Sequence, residues 1–366
     1  MAISRINEAG LNVNQYGNRN LIINGAMQVD QRGSYTITTS GSPEYGGPDR
    51  FHMWSYASTE QVVGDVTQST DVPSGNGFGY SRKFDVTTAE SAVASDEALL
   101  MAQLIEAQNL QHLNYGTSSA KDVTVSFWIK STKTGTYCFF INQEDGSRIY
   151  VKEYTVDASD TWEKKIITIP GDASGTINND NGRGFWCGWV LMAGTDRQGT
   201  ANAWRATGAD YATSNQVNAV DSTSNNIYFT GVQLEVGDTA TDFEHRTFGD
   251  ELARCQRYFC RTYTYGTATG TATANGCVSG PVFAAITYSS PGTFRFPVEM
   301  RSAPTVQVYS TQNADTTGKV TADAADGTAG TAFTGTASTF IYRNNDSTGV
   351  VANAFLKAQA TADAEL

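Results

Sequence analysis

Strict alternation of apolar and polar side chains marks DVTVSFWIKS, where Val123, Val125, Phe127 and Ile129 interleave with Thr124, Ser126, Trp128 and Lys130. A period of two sends one set to a buried sheet face and the other toward water. The pattern therefore predicts a β-strand with Trp128 and Lys130 on its wet side. GTYCFFINQEDGSRIYVKEYTV reads as a hairpin turning at Asp145-Gly146, because glycine takes a positive φ at little cost. TWEKKIITIP, GFWCGWVLMAG and NIYFTGVQLEVG add further strands. In the second of these Trp186 alternates with Phe185 and Cys187, so either Trp186 or Trp189 faces outward. Short strands at this density predict two packed antiparallel sheets.

Two segments break the strand pattern. SDEALLMAQLIEAQNLQHL combines good helix formers with apolar positions that settle on no single period, and predicts part strand, part short helix. RTFGDELARCQRYFCRTY places Phe248, Leu252, Cys255 and Phe259 at spacings of four, three and four, an apolar stripe along one side of a helix. Thr247 and Asp250 have capping-box spacing, Asp250 and Glu251 fall in the first turn, and Arg254, Arg257 and Arg261 come late, as the helix dipole favours. The stripe is read as either a lid on its own domain or a helix contact between subunits. Beyond residue 263 the chain loses charge, and tracts such as YTYGTATGTATANGCVSG alternate with short strand-like runs. These predict a small β domain that buries little core per residue. The expected organisation is a leader over 1–19, a sandwich over 20–247, a connecting helix over 248–262 and a C-terminal β domain over 263–366.

Composition narrows the partners. The 366 residues carry 25 Lys and Arg against 37 Asp and Glu, a formal charge of −12, which repels nucleic acid and anionic lipid. No stretch reaches the roughly 18 apolar residues of a membrane span, and the first residues lack a signal-peptide pattern; synthesis in the cytosol without membrane insertion is expected. The five cysteines form no C-x-x-C, the three histidines are scattered, and free thiols with no metal site are expected. No G-x-S-x-G or phosphate-binding loop occurs, so no nucleophilic or nucleotide chemistry is predicted.

NLIINGAMQVDQRG, PDRFHMW, VTVSFWIKS, DSTSNNIYFTGVQLEVGDTATDFEHR and ELARCQRYF together resemble a module of tailed-bacteriophage tail-fibre and related virion proteins, over residues 20–260. The first part is also similar to carbohydrate-binding jelly rolls of the family 4/9 type, whose opening strand matches at Asn20, Leu21, Ile22, Asn24 and Gly25 and whose closing strand matches IYFTGVQLEVG. The resemblance implies an all-β antiparallel jelly-roll sandwich, first and last strands adjacent, followed by a short helix and a small β domain. It also implies a non-enzymatic virion protein, a tail-fibre or spike subunit made in the host cytoplasm. Such a subunit assembles as a homotrimer, attaches to other virion proteins through its leader, and meets host surface polysaccharide or lipopolysaccharide. A capsid decoration or head-fibre protein, or a polysaccharide-degrading tail spike, is the alternative.

Members of the sugar-binding family often hold a structural calcium with acids from the opening and closing strands. Here Ala26, Met27 and Gln28, and Thr230-Gly231, stand at those places, so no cofactor is expected. Sugars pack their C–H faces on aromatic rings, which makes Trp128, Lys130 and Trp186 the candidate glycan contacts. Phe248, Leu252, Cys255 and Phe259 are the candidate oligomer contact. The charge pairs in DRF (49–51) and FEHR (243–246) are expected to tie sandwich edges together.

Overall fold

The alternation that predicted strands also sorts them into two layers. The structure, a computed structural model, describes residues 18–37, 41–56, 63–281, 289–322, 325–326, 330–334, 336–344 and 355–366. Residues 1–17 of the expected leader lie outside the described residues. The chain forms two units, residues 1–28 with 34–246, and residues 29–33 with 247–366.

The first unit is an antiparallel sandwich of thirteen strands: β1 (Tyr35–Ile37), β2 (Pro43–Tyr45), β3 (His52–Tyr56), β4 (Val63–Ser69), β5 (Ser81–Thr88), β6 (Ala98–Glu106), β7 (Val123–Ser131), β8 (Gly135–Gln143), β9 (Arg148–Val156), β10 (Glu163–Ile169), β11 (Arg183–Ala193), β12 (Arg205–Ala206) and β13 (Asn226–Val236). One sheet runs β1-β4-β5-β13-β7-β10 and the other β12-β9-β8-β11-β6-β3-β2, a jelly-roll arrangement in which the chain crosses repeatedly between layers. Between them lie Phe127, Ile129, Phe139, Ile141, Phe185, Trp189, Phe229 and Leu234, all buried. The β8–β9 hairpin turns over residues 144–147, as Asp145-Gly146 predicted. The ambiguous segment resolves into β6 and a 3-10 helix over Ala107–Leu113.

The opening segment differs from expectation. Asn20–Gly25 lies beside β13, where the resemblance placed it, yet it is irregular rather than a strand. Leu21 N–H donates to the Leu234 carbonyl (2.8 Å) and Val232 N–H to the Gly25 carbonyl (2.9 Å). Between these contacts the side-chain amide of Asn20 replaces the backbone ladder, donating to the Val232 carbonyl and accepting from Leu234 N–H. Gly25 approaches so closely that a Cβ there would stand 2.0 Å from the Val232 oxygen. Asn24, at φ 62°, then turns the chain away. Glu244 clamps this edge: its carboxylate accepts from the Arg19 and Asn20 backbone N–H groups and pairs with Arg246 at 2.9 Å. The charge pair in FEHR thus ties opening to closing segment.

In the second unit, helix α1 spans Phe248–Gln256, and Thr247 caps it by accepting from Asp250 N–H. Its central strand, Phe355–Asp363, pairs with Phe259–Arg261, Val278–Pro281, Thr305–Tyr309 and Thr321–Ala322. The core there is small, with Leu356, Ala358, Ala360 and Ala362 packing on Cys260, Phe296, Met300 and Val308. The proposed stripe does not survive as a helical face. The helix ends before Phe259, which sits in a strand opposite Asp363, and both Phe259 and Cys255 are buried. Phe248 remains exposed and Leu252 half-buried, so only the first turns of the stripe are open to a partner.

Candidate functional site: an aromatic sheet face

In β3, sequence HMWSY, Met53 points into the core, so His52, Trp54 and Tyr56 turn to the opposite face of the seven-stranded sheet. In β11 the core takes Phe185, Cys187, Trp189 and Leu191, which leaves Trp186, Gly188 and Val190 on that same outer face. Phe140 of β8 joins them. Strand β6 lies between β3 and β11 and presents the small Ala102 between His52 and Gly188. Large rings on the flanking strands can therefore lean across it. His52 stacks on Trp186 (6.5 Å, 26°), Trp54 meets Trp186 at 4.9 Å, and Trp54 stacks on Tyr56 (5.3 Å, 13°). Gly188 is required: a Cβ there would stand 2.3 Å from the Phe140 ring, which instead lies edge-on to Trp186 at 5.2 Å.

The segment 195–219 folds back over this face. Gln216 anchors it, accepting from Cys138 N–H and donating to the Val190 carbonyl. Tyr211 is thereby laid against Phe140 (5.0 Å), Trp186 (5.2 Å) and Tyr56 (5.9 Å), its hydroxyl 3.2 Å from that of Tyr56. Trp186 and Tyr211 become buried, while Trp54 and Tyr56 stay half-exposed. Arg197 lies over the Tyr56 ring at 4.5 Å, and its Nε donates to the Asp96 carbonyl at 2.7 Å.

Several polar atoms on this face have no protein partner: Trp54 Nε1, Trp186 Nε1 and both ring nitrogens of His52 are buried without a hydrogen bond. Buried N–H groups are seldom left so. Burial, reinforced by the positive charges of Arg82, Arg50 and Arg183, pushes the His52 imidazole down to about 3, and it is neutral in the fold. The unfolded chain takes up this proton below about pH 6.5 whereas the fold does not. Stability of the first unit should therefore fall as pH drops from 6.5 toward 3, with a limiting slope of about 1.4 kcal/mol per pH unit. Urea midpoints measured at pH 7 and pH 4.5 check this; in His52→Phe that component of the slope should vanish.

The residues singled out from sequence fall on opposite faces. Trp186 belongs to the aromatic face, but Tyr211 covers it, so it forms the floor rather than a platform. Trp128 and Lys130 lie on the outer face of the six-stranded sheet, Trp128 half-buried and Lys130 buried. Lys130 Nζ is held by Asp71 (2.6 Å) and Asp160 (3.0 Å) and sits 4.6 Å from the Tyr228 ring centre. Burial lowers the Lys130 ammonium, but the hydrogen bonds to Asp71 and Asp160 outweigh it and leave it raised. Trp162 Nε1 donates to Asp71 at 3.0 Å. This second face is a closed polar network rather than an open aromatic one. His52, Trp54 and Tyr56 were legible as alternate aromatics in HMWSY; Arg197 and Tyr211 sit in an irregular segment with no pattern to mark them.

Other sites are weaker. A pocket of about 230 Å³ lined by Ser34, Tyr35, Thr36, Asp65 and Thr67 has one aromatic, and the Tyr35 hydroxyl is committed to the Glu44 carbonyl. Among the described residues no group of three His, Cys, Asp or Glu is placed to hold a metal. Thr230, one of the residues at the expected calcium position, donates its hydroxyl to the Tyr80 carbonyl at 2.7 Å.

No protein-family model matches the chain, and no curated protein matches it. Solved structures do. A family 4 carbohydrate-binding module is similar at 13% identity and TM-score 0.27, over 58% of this chain and 97% of that one. The family 11 carbohydrate-binding module of a Clostridium thermocellum cellulosomal cellulase is similar at 16% identity and TM-score 0.28, over 57% and 100%. The enzymatically active domain of tailspike protein 4 of bacteriophage CBA120 is similar at 13% identity and TM-score 0.30, over 51% of this chain and only 19% of the tailspike chain. The likeness is one of fold. At these identities and scores it bears on no function.

Proposed function

We propose that this chain is a non-enzymatic, glycan-binding structural protein of a bacteriophage particle, a self-associating tail-fibre or spike subunit that meets host surface polysaccharide through the outer face of its seven-stranded sheet. The observation that carries the glycan reading is the half-exposed Trp54 indole, stacked on Tyr56 at the outer face of the seven-stranded sheet. A sugar ring supplies what this face lacks. Its C–H surface covers aromatic carbon that is otherwise open to water. The virion placement, the homotrimer and attachment through the leader over residues 1–19 rest on the sequence resemblance.

Titration of host-envelope polysaccharide into the purified chain tests the reading. Trp54→Ala removes the largest open ring and should weaken binding by about fivefold or more, since loss of one stacking ring costs on the order of 1–3 kcal/mol. Its melting should stay cooperative because Trp54 is only half-buried. Absence of binding by the unmodified chain would refute the proposal. Appearance of new reducing ends during the incubation would instead favour a polysaccharide-degrading spike.

A further inference from the structure

Arg197 is fixed at both ends of its side chain and yet forms no ion pair among the described residues. Its backbone N–H donates to the Gly194 carbonyl (3.0 Å) and its carbonyl accepts from Ala212 N–H (3.1 Å), so the main chain is held. The guanidinium is held by the Tyr56 ring beneath it and by Nε donation to Asp96 O. Arg32, Arg148, Arg205 and Arg246 each grip a carboxylate, whereas Arg197 has no ion pair among the described residues. The neighbouring acids are engaged elsewhere: Asp210 by Arg205, Glu144 by the Asn142 amide (3.0 Å) and Asp196 by the Ser95 hydroxyl (2.7 Å). The outer N–H groups of Arg197 thus form a preorganised fork beside the Trp54–Tyr56 stack, and such a fork matches a carboxylate bidentately.

We infer that the aromatic face selects acidic saccharides, with a hexuronate ring against Trp54 and its carboxylate received by Arg197. This rests on the glycan reading above and narrows it to one chemical class. A hexuronate combines an apolar C–H face with a planar anion at its rim, the two features the site presents side by side. The chain as a whole is acidic, so this recognition is local and short-ranged rather than steered by net charge.

The test uses the full chain with oligogalacturonate, oligomannuronate and hyaluronan oligosaccharides, each beside its carboxyl-reduced neutral form, by calorimetric titration. The expected result is at least one acidic oligosaccharide bound tenfold or more tightly than its neutral form, a preference that shrinks between low and high salt. Arg197→Gln should abolish the preference, weakening the acidic form by tenfold or more. Arg197→Lys should restore part of it, because charge survives and the fork does not. Trp54→Ala should weaken acidic and neutral forms alike. Thermal melts of the Arg197 variants matching the unmodified chain confirm an intact fold; a variant that melts early is replaced by Arg197→Met, read in the same way. Neutral and acidic forms bound equally, with Arg197→Gln silent, would overturn the inference and leave the glycan reading standing. Failure of every oligosaccharide to bind while the envelope polysaccharide binds would also overturn it. Failure of both would remove the glycan reading as well.

Discussion

Replacing Trp189 with alanine should lower the stability of the first unit by about 3–5 kcal/mol. Trp189 is fully buried between the sheets, with Phe139 at 5.0 Å, Phe127 at 5.7 Å, Phe229 at 6.1 Å and Phe51 at 6.3 Å. These rings come from four other strands or loops, so no single neighbour can move to fill the space without disturbing the rest. Interiors packed at crystal density relax only partly around such a loss. The indole N–H makes no hydrogen bond, so truncation removes apolar contact without breaking a polar one. Trp189→Phe should accordingly cost far less, because it keeps one ring and deletes an unsatisfied donor. Urea unfolding followed by hydrogen exchange of β11 amides separates this unit from the other; equal midpoints for Trp189→Ala and the unmodified chain would reject the account.

Arg32→Ala should destabilise the second unit by about 2–4 kcal/mol and leave the first unaffected. The segment Val29–Gly33 belongs to that unit although it lies more than 200 residues upstream of it. Arg32 stacks 3.7 Å from the Phe259 ring centre and pairs with Asp363 at 2.8 Å and Glu365 at 3.2 Å. The Asp363 side chain is 40% exposed and its pair contributes little, whereas Glu365 is only 6% exposed, so removing Arg32 takes a counter-charge from a buried carboxylate. Gln31 adds a hydrogen bond from its amide to the Phe259 carbonyl. Arg32→Lys should recover only part of the loss, since a lysine cannot stack its charge on the ring and fork to two acids at once. Glu365→Gln in the Arg32→Ala background should recover part by removing that buried charge. Exchange protection over Phe355–Asp363 is the readout. A fragment containing only 247–366 should show the same loss, relieved by a peptide covering 29–33.

What was legible in the sequence was local. β7 came out of its alternation with the expected limits, the β8–β9 turn out of Asp145-Gly146, and the start of α1 out of Thr247 and Asp250, because a pleat, a positive φ and a cap each depend on a few neighbouring residues. The expectation that the charge pair in FEHR ties sandwich edges was also met, through Glu244 and Arg246. The helical stripe misled because residues 255–259 fit either a continuing helix or a turn into strand. Pairing of Phe259 with Asp363, more than 100 residues away, decided between them.

The alternation of side chains determines that this chain folds into antiparallel sheets, and it determines which side of each strand is apolar, since both follow from backbone geometry one or two residues at a time. It does not determine which outer faces meet water. Trp186 and Trp128 were both candidate glycan contacts, but segment 195–219 covers one and the Asp71–Lys130–Asp160 network accompanies the other. The open aromatic platform belongs instead to Trp54 and Tyr56, and its cation to Arg197, brought beside them from well over 100 residues along the chain. Long-range packing placed those groups together, because strand order and loop return are set by where the whole chain can bury its apolar area, which no local pattern encodes.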